Sequence, residues 1–195
     1  DVFLMHNREI QTAQDDSVIR FSGKNKKRII LRRSRGCAPT YMKPAPANET
    51  VLAMGADMKS TFSIQANGRQ YISQYLGNLG SYQSQQYCRH AQDHLLKLME
   101  TIPGRIIIDR HPHYNSSALG EELARVWNVP VQKVQHHEAH AWSVLAENDL
   151  INTDDSILCV VWDGTGYGND RNTWGGEFFR YDKHELKRIA HLDYF

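Results

Sequence analysis

Apolar residues first recur along the chain in short runs broken by glycine, proline and asparagine. Residues 51–55, 60–66 and 69–73 read as three strands, the last two joined by an Asn67-Gly68 turn. The spacing then lengthens. Residues 83–101 carry Tyr87, Ala91, Leu95 and Leu98 on one stripe, and residues 116–127 carry Leu119, Leu123 and Val126, which predicts two helices. Between them, residues 105–109 form an apolar run that ends in a carboxylate, Asp109. Residues 129–135 read as a strand feeding a third helix over 136–148. Residues 157–162 and 173–182 then repeat the opening theme of strand, glycine turn, strand. A meander followed by alternating strands and helices predicts an α/β domain with a mixed sheet. The echo of the opening in the closing strands predicts two pseudo-repeated lobes, the first over 48–153 and the second beginning at 154.

Residues 1–42 have a different texture. Lys24–Gly36 crowds lysines and arginines around Ile29, Ile30 and Leu31, as expected of a short strand that carries cations to a ligand face. Pro39, Pro44 and Pro46 then interrupt any regular element, so a linker is expected over about 38–50. The chain opens on Asp1 and closes in ELKRIAHLDYF, which reads as a strand still in progress; the expectation is a piece of a longer protein.

Composition narrows the function classes. Over 195 residues, 23 Lys and Arg balance 22 Asp and Glu for a net charge of +1, which lacks the basic footprint of a non-specific nucleic-acid binder. Hydrophobic residues at 41% argue for packed structure. No run approaches the roughly 20 apolar residues of a membrane span. Cys37, Cys88 and Cys159 are odd in number and far apart, which indicates neither a zinc-ribbon site nor a full disulfide framework; a reducing, cytoplasmic compartment is expected.

Four constellations carry candidate chemistry. On a helix, His136 and His140 stand one turn apart on one face, the separation at which two imidazoles can bind one ion. His137 follows His136 where a zincin would place its glutamate, so that pattern does not fit. A solvated surface helix is the alternative. Asp163-Gly164-Thr165-Gly166-Tyr167-Gly168, directly after the apolar run 157–162, resembles the phosphate and metal cradle of actin-like and sugar-kinase-like folds, and reads equally as a glycine hairpin turn. The turn Gly55–Thr61 offers Asp57, Lys59, Ser60 and Thr61 to terminal phosphates, or is simply solvated. Residues 109–116, DRHPHYNS, place polar groups at the C-terminal end of a buried strand, where α/β sheets put their ligands, with Asn115 or Ser116 capping the helix that follows. Asp109 itself also reads as an ordinary strand-end residue.

FLMHNREI, DDSVIR, RRSRGCAP, LAMGADMKSTFSI, SQYLGNL, DRHPHYNSS, VQHHEAHAW and WDGTGYGNDRNTWGGEF stand in this order along nearly the whole chain. Together they resemble the hydrogenase maturation carbamoyltransferases of the HypF family. The resemblance implies the C-terminal tail of a YrdC-like domain over 1–42, then an actin-like (ribonuclease H-like, ASKHA) domain similar to the TsaD-like threonylcarbamoyl transferases. It implies three metal ligands, His136, His140 and Asp163, for a divalent ion such as zinc or iron. It also implies contacts to ATP, with its Mg, from Lys59, Thr61, Gly164, Gly166, Gly175 and Gly176, and an adenylate-forming site served by Arg8, Arg32, Arg33 and Arg35. Four positions depart from the family's pattern: Cys37 stands for Tyr, Asn78 for Asp, Arg110 for Leu and Glu138 for His. None is one of the three implied ligands.

The function so implied starts from carbamoyl phosphate and ATP, which give carbamoyl adenylate. The carbamoyl group then passes to the C-terminal cysteine of a HypE-like acceptor protein, on the way to the cyanide ligand of nickel–iron hydrogenase. With neither domain whole, this stretch alone is expected to be inactive, and a half-built second lobe invites dimerisation. Two other classes compete: O-carbamoyl or threonylcarbamoyl transfer to a small molecule or tRNA, and a non-catalytic nucleotide-binding module. The order of domains opposes the small-molecule version, and the near-neutral charge opposes the tRNA version.

Overall fold

The computed structural model describes residues 2–42 and 49–194. Two compact units divide the chain: residues 1–52 with 57–102, and residues 53–56 with 103–195.

In the first unit, β1 (Val18–Phe21) and β2 (Arg28–Arg32) form an antiparallel ribbon with all four β1 residues exposed. β3 (Thr40–Met42), β6 (Arg69–Ile72) and β5 (Phe62–Ala66) lie side by side in that order, and β4 (Val51–Met54) is divided between the two units. β3 falls inside the expected linker. Tyr41 pairs with Tyr71 across the ladder and the Arg69 guanidinium covers its ring at 4.9 Å, so an aromatic cross-strand pair wins over the prolines around it. Residues 43–48 of that linker lie outside the described residues. The Asn67-Gly68 turn forms as expected, both residues having positive φ. β5 alternates strictly, burying Phe62, Ile64 and Ala66. Helix α1 (Tyr82–Leu98) starts on Ser81, whose hydroxyl accepts the Ser84 N–H, and buries Cys88, Ala91, Leu95 and Leu96.

The second unit positions the candidate chemistry. β7 (Arg105–Asp109) pairs in parallel with β8 (Val131–Val134), as two strands joined by a helical crossover must. That crossover is α2 (Asn115–Trp127); its N-cap is Tyr114, which makes no side-chain cap hydrogen bond, rather than the expected Asn115 or Ser116, both of which sit in its first turn. The Ser117 hydroxyl donates to the Asp109 carbonyl and fastens the helix to the strand end. Gly120 lets α2 lie flat on the strands beneath, because a Cβ there would meet Ile108 at 2.5 Å.

α3 (His136–Glu147) packs on β9 (Ile157–Tyr167), which pairs antiparallel with β10 (Thr173–Asp182), itself paired with β11 (Glu185–His191). Ala141 of α3, Val161 of β9, and Trp174 and Phe179 of β10 form a buried cluster that fixes the helix against the sheet. β9 runs five residues beyond the apolar stretch that predicted it, so Asp163 lies within the strand and the turn moves to Gly168–Asn172. A bulge between Trp174 and Gly176 accommodates this. There the strands approach so closely that a Cβ on Gly175 would lie 2.9 Å from the Asp163 carbonyl oxygen. No helix among the described residues is long and apolar enough to cross a membrane.

Candidate metal centre

Three donor atoms converge where α3 faces β9. His136 Nε2 lies 3.0 Å from Asp163 Oδ2 and 3.3 Å from His140 Nε2, and His140 Nε2 lies 3.7 Å from the same carboxylate oxygen. Helical spacing sets the His136–His140 pair, and the packing of Ala141 on the sheet sets the approach of both imidazoles to Asp163. The outer side is open: the His140 side chain keeps 54% of its exposure, against 16% for His136 and 25% for Asp163.

The residues fit an ion. Four ligands at 2.0–2.2 Å from a tetrahedral centre stand about 3.4 Å apart, and the observed edges of 3.0, 3.3 and 3.7 Å straddle that value. Asp163 Oδ2 is buried yet receives no well-aligned hydrogen bond, although His136 Nε2 is so near. A cation would satisfy such an oxygen, since buried polar atoms ordinarily have partners. With only three side chains in the group, the ion would keep room for a substrate atom.

Asp109 holds His136 from behind. Its Oδ2 lies 2.7 Å from His136 Nδ1, while its Oδ1 accepts the His111 N–H at 2.7 Å. A carboxylate on Nδ1 places the ring hydrogen there and leaves the Nε2 lone pair for a metal. The same hydrogen bond pushes the His136 pKa upward, with the Asp109 and Asp163 charges adding to it against burial. His140 moves downward, through loss of water around the inner edge of its ring and the charge of His136, despite its exposed outer edge. Sequence reasoning left Asp109 as a possible strand-end residue. Its signal was a carboxylate closing an apolar strand ahead of a histidine-rich loop.

The other expected site residues divide between the units. Gly164, Gly175 and Gly176 line a cleft of about 360 Å³ together with Asp163, Trp162 and Trp174. Gly166 does not line it; a Cβ there would strike the His137 ring at 2.3 Å. Lys59 and Thr61 belong to the first unit, where the Lys59 N–H donates to Asn78 Oδ1 and Lys59 adopts a φ of 52°. Arg32, Arg33 and Arg35 are each bonded to backbone carbonyls of residues 14–37, and Arg8 lies on an irregular exposed stretch. Arg110 and Glu138 interact, for the Arg110 charge opposes the upward push that burial gives Glu138, and Arg110 also donates to Asn169 at 2.6 Å.

Comparison with known proteins matches residues 46–147 to the HypF Kae1-like domain and residues 159–195 to the second subdomain of the carbamoyltransferase Kae1-like domain. The chain belongs to the HypF family. It is 40% identical over 195 residues to the probable carbamoyltransferase HypF of Methanocaldococcus jannaschii, covering 99% of this chain and 25% of that protein. It is 41% identical over 197 residues to the carbamoyltransferase HypF of a Synechocystis species, covering 100% of this chain and 24% of that protein. The chain thus spans about a quarter of the length of these relatives. Among solved structures, HypF of T. kodakarensis superposes with a TM-score of 0.87 at 41% identity, over 98% of this chain and 24% of that one. A full-length HypF in a phosphate- and nucleotide-bound form gives 0.86 at 35% identity, over 98% and 29%. YeaZ from Pseudomonas aeruginosa, at 12% identity, 0.50 and 73% of this chain, shares the fold alone. The expectation of an α/β domain with a mixed sheet agrees with these HypF structures and with the Kae1-like match.

Proposed function

We propose that this HypF chain carries the metal- and nucleotide-binding part of a carbamoyl transfer site. The observation that carries the reading is the convergence of His136, His140 and Asp163, with Asp109 behind His136. In the whole protein, water cleaves carbamoyl phosphate to carbamate and phosphate, and the carbamate oxygen then attacks the α-phosphorus of ATP to give carbamoyl adenylate with release of pyrophosphate. The thiolate of an acceptor's C-terminal cysteine then attacks the carbamoyl carbon and AMP leaves. The acceptor is a HypE-like maturation protein, and the product leads to the cyanide ligand of nickel–iron hydrogenase.

An ion held by His136, His140 and Asp163 would supply Lewis-acid polarisation at this site. The chain's own residues orient and exclude. Asp109 keeps the His136 hydrogen on Nδ1, and the cleft at Gly164, Gly175 and Gly176 leaves backbone exposed to a nucleotide phosphate. Burial raises the thiol pKa of Cys159 and of Cys88, the latter to about 12, which disfavours either as a covalent nucleophile.

The test uses the whole polypeptide that contains this sequence. His140→Ala is expected to abolish carbamoylation of the acceptor peptide while carbamoyl-phosphate-dependent exchange of pyrophosphate into ATP persists. A parallel fall of both, with circular dichroism unchanged, would contradict this division of labour. The 195-residue chain alone is expected to catalyse neither reaction.

A further inference from the structure

His137 is unused by the account above, yet it is fully buried and aimed at the same carboxylate. The chain of contacts starts at Gln135. Its Oε1 accepts the Glu138 N–H at 2.9 Å as the cap of α3, which fixes the amide with its NH2 group on the other side. That Nε2 stands 3.1 Å from the Tyr167 carbonyl oxygen and 3.1 Å from His137 Nδ1. An amide nitrogen only donates, so His137 Nδ1 accepts and the ring hydrogen lies on Nε2. His137 Nε2 has no hydrogen-bond partner and faces Asp163 Oδ2, equally buried and unpartnered, at 3.7 Å. The ring cannot drift, being confined by the Gly166 backbone and by the Trp174 ring at 5.8 Å between centroids.

We propose that His137 is a positioning residue for the ion site: a neutral Nε2–H donor, locked in that tautomer by Gln135, that holds Asp163 Oδ2 toward His136 and His140. A carboxylate oxygen has two lone pairs, so one can meet the His137 hydrogen while the other meets an ion. Such supporting groups set ligand orientation and metal affinity. The adjacency of His136 and His137 in sequence thereby gains a meaning: one imidazole faces the ion, and the next fixes the carboxylate from the buried side.

The inference rests on the metal reading, and two measurements on the full chain separate their failures. Nitrogen-15 NMR of the metal-free chain should show His137 as the Nε2–H tautomer; an Nδ1–H tautomer overturns the inference and leaves the metal reading standing. Titration with Co²⁺ alone should show tight binding by the unsubstituted chain. His137→Phe, which keeps a buried ring without the donor, should bind about ten- to a hundredfold more weakly and change the cobalt absorption spectrum. His137→Gln, which restores an N–H donor, should recover most of that loss. Equal cobalt affinity and spectrum in a folded His137→Phe chain would overturn the inference, and if that variant does not fold, the tautomer decides. No cobalt binding by the unsubstituted chain would overturn the metal reading and this inference with it.

Discussion

Two clusters of functional-looking residues stand in this chain, and they meet opposite fates. Arg32 and Arg35 are close in sequence, but each turns to its own acceptors: Arg32 to the Asp16 carbonyl and Asp15, Arg35 to the Gln14 carbonyl and Asp16. Their ion pairs are 3.4 Å long, and the Asp15 and Asp16 side chains are 72% and 81% exposed. His136, His140 and Asp163 span 28 positions, yet their donor atoms lie within 4.8 Å of one another. The difference is scaffold. A two-stranded ribbon open to water leaves long cations free to find local partners. A helix fixed on a sheet by Ala141, Val161, Trp174 and Phe179 brings short, stiff side chains to one point.

The largest test of that contrast removes a ligand. His136→Ala or Asp163→Ala should weaken Zn²⁺ binding at least about a hundredfold by titration calorimetry, beyond the effect of losing a supporting group. Arg32→Ala should leave it unchanged.

Next in size is Asp109→Asn, expected to lower zinc affinity about ten- to a hundredfold. It should also alter the pH dependence. The His136 pKa is raised in the folded chain, chiefly by Asp109, so its stabilisation of the metal-free protein is complete below the unfolded value of about 6.5 and fades as pH rises through the folded value. An ion must displace the proton on Nε2, so zinc affinity should climb over the same window. In Asp109→Asn both transitions should move to lower pH, read from melting temperature and zinc titration between pH 5 and 9.

Gly166→Ala addresses the rigid side of the comparison. The added methyl would lie 2.3 Å from His137 Cε1, and overpacking of this kind costs about 1–3 kcal/mol, measurable in urea unfolding. The smallest effect is expected at the end of the ribbon and just beyond it, where Arg32→Ala and Arg35→Ala should each change stability by no more than about 0.5 kcal/mol because these pairs are solvated.

Much of the fold could be read from spacing. The alternation of Phe62, Ile64 and Ala66 and the Asn67-Gly68 turn obey local rules that the structure keeps, and the helical stripes hold at Ala91, Leu95, Leu119 and Leu123, whereas Leu98 and Val126, expected on the same stripes, are exposed at the helix ends. β3 was hidden because its support, Tyr71 and Arg69, comes some 30 residues later in the chain. The extension of β9 through Asp163 was hidden because glycines that read as a turn serve instead as the places where β10 and His137 press closest. The pairing of His136 with His140 was legible from helical period. Asp109 was marked only as a carboxylate closing an apolar strand; that it meets His136, and that Gln135 meets His137, depends on which strand ends and helix caps come together in space.

The central claim is that His136, His140 and Asp163 hold one divalent ion. Anomalous diffraction at the zinc edge, from crystals of the chain grown with Zn²⁺, tests it most directly. The account predicts one strong peak about 2.0–2.2 Å from His136 Nε2, His140 Nε2 and an Asp163 carboxylate oxygen. A peak bound by none of these atoms, or an ordered site with either imidazole turned away from Asp163, would contradict it.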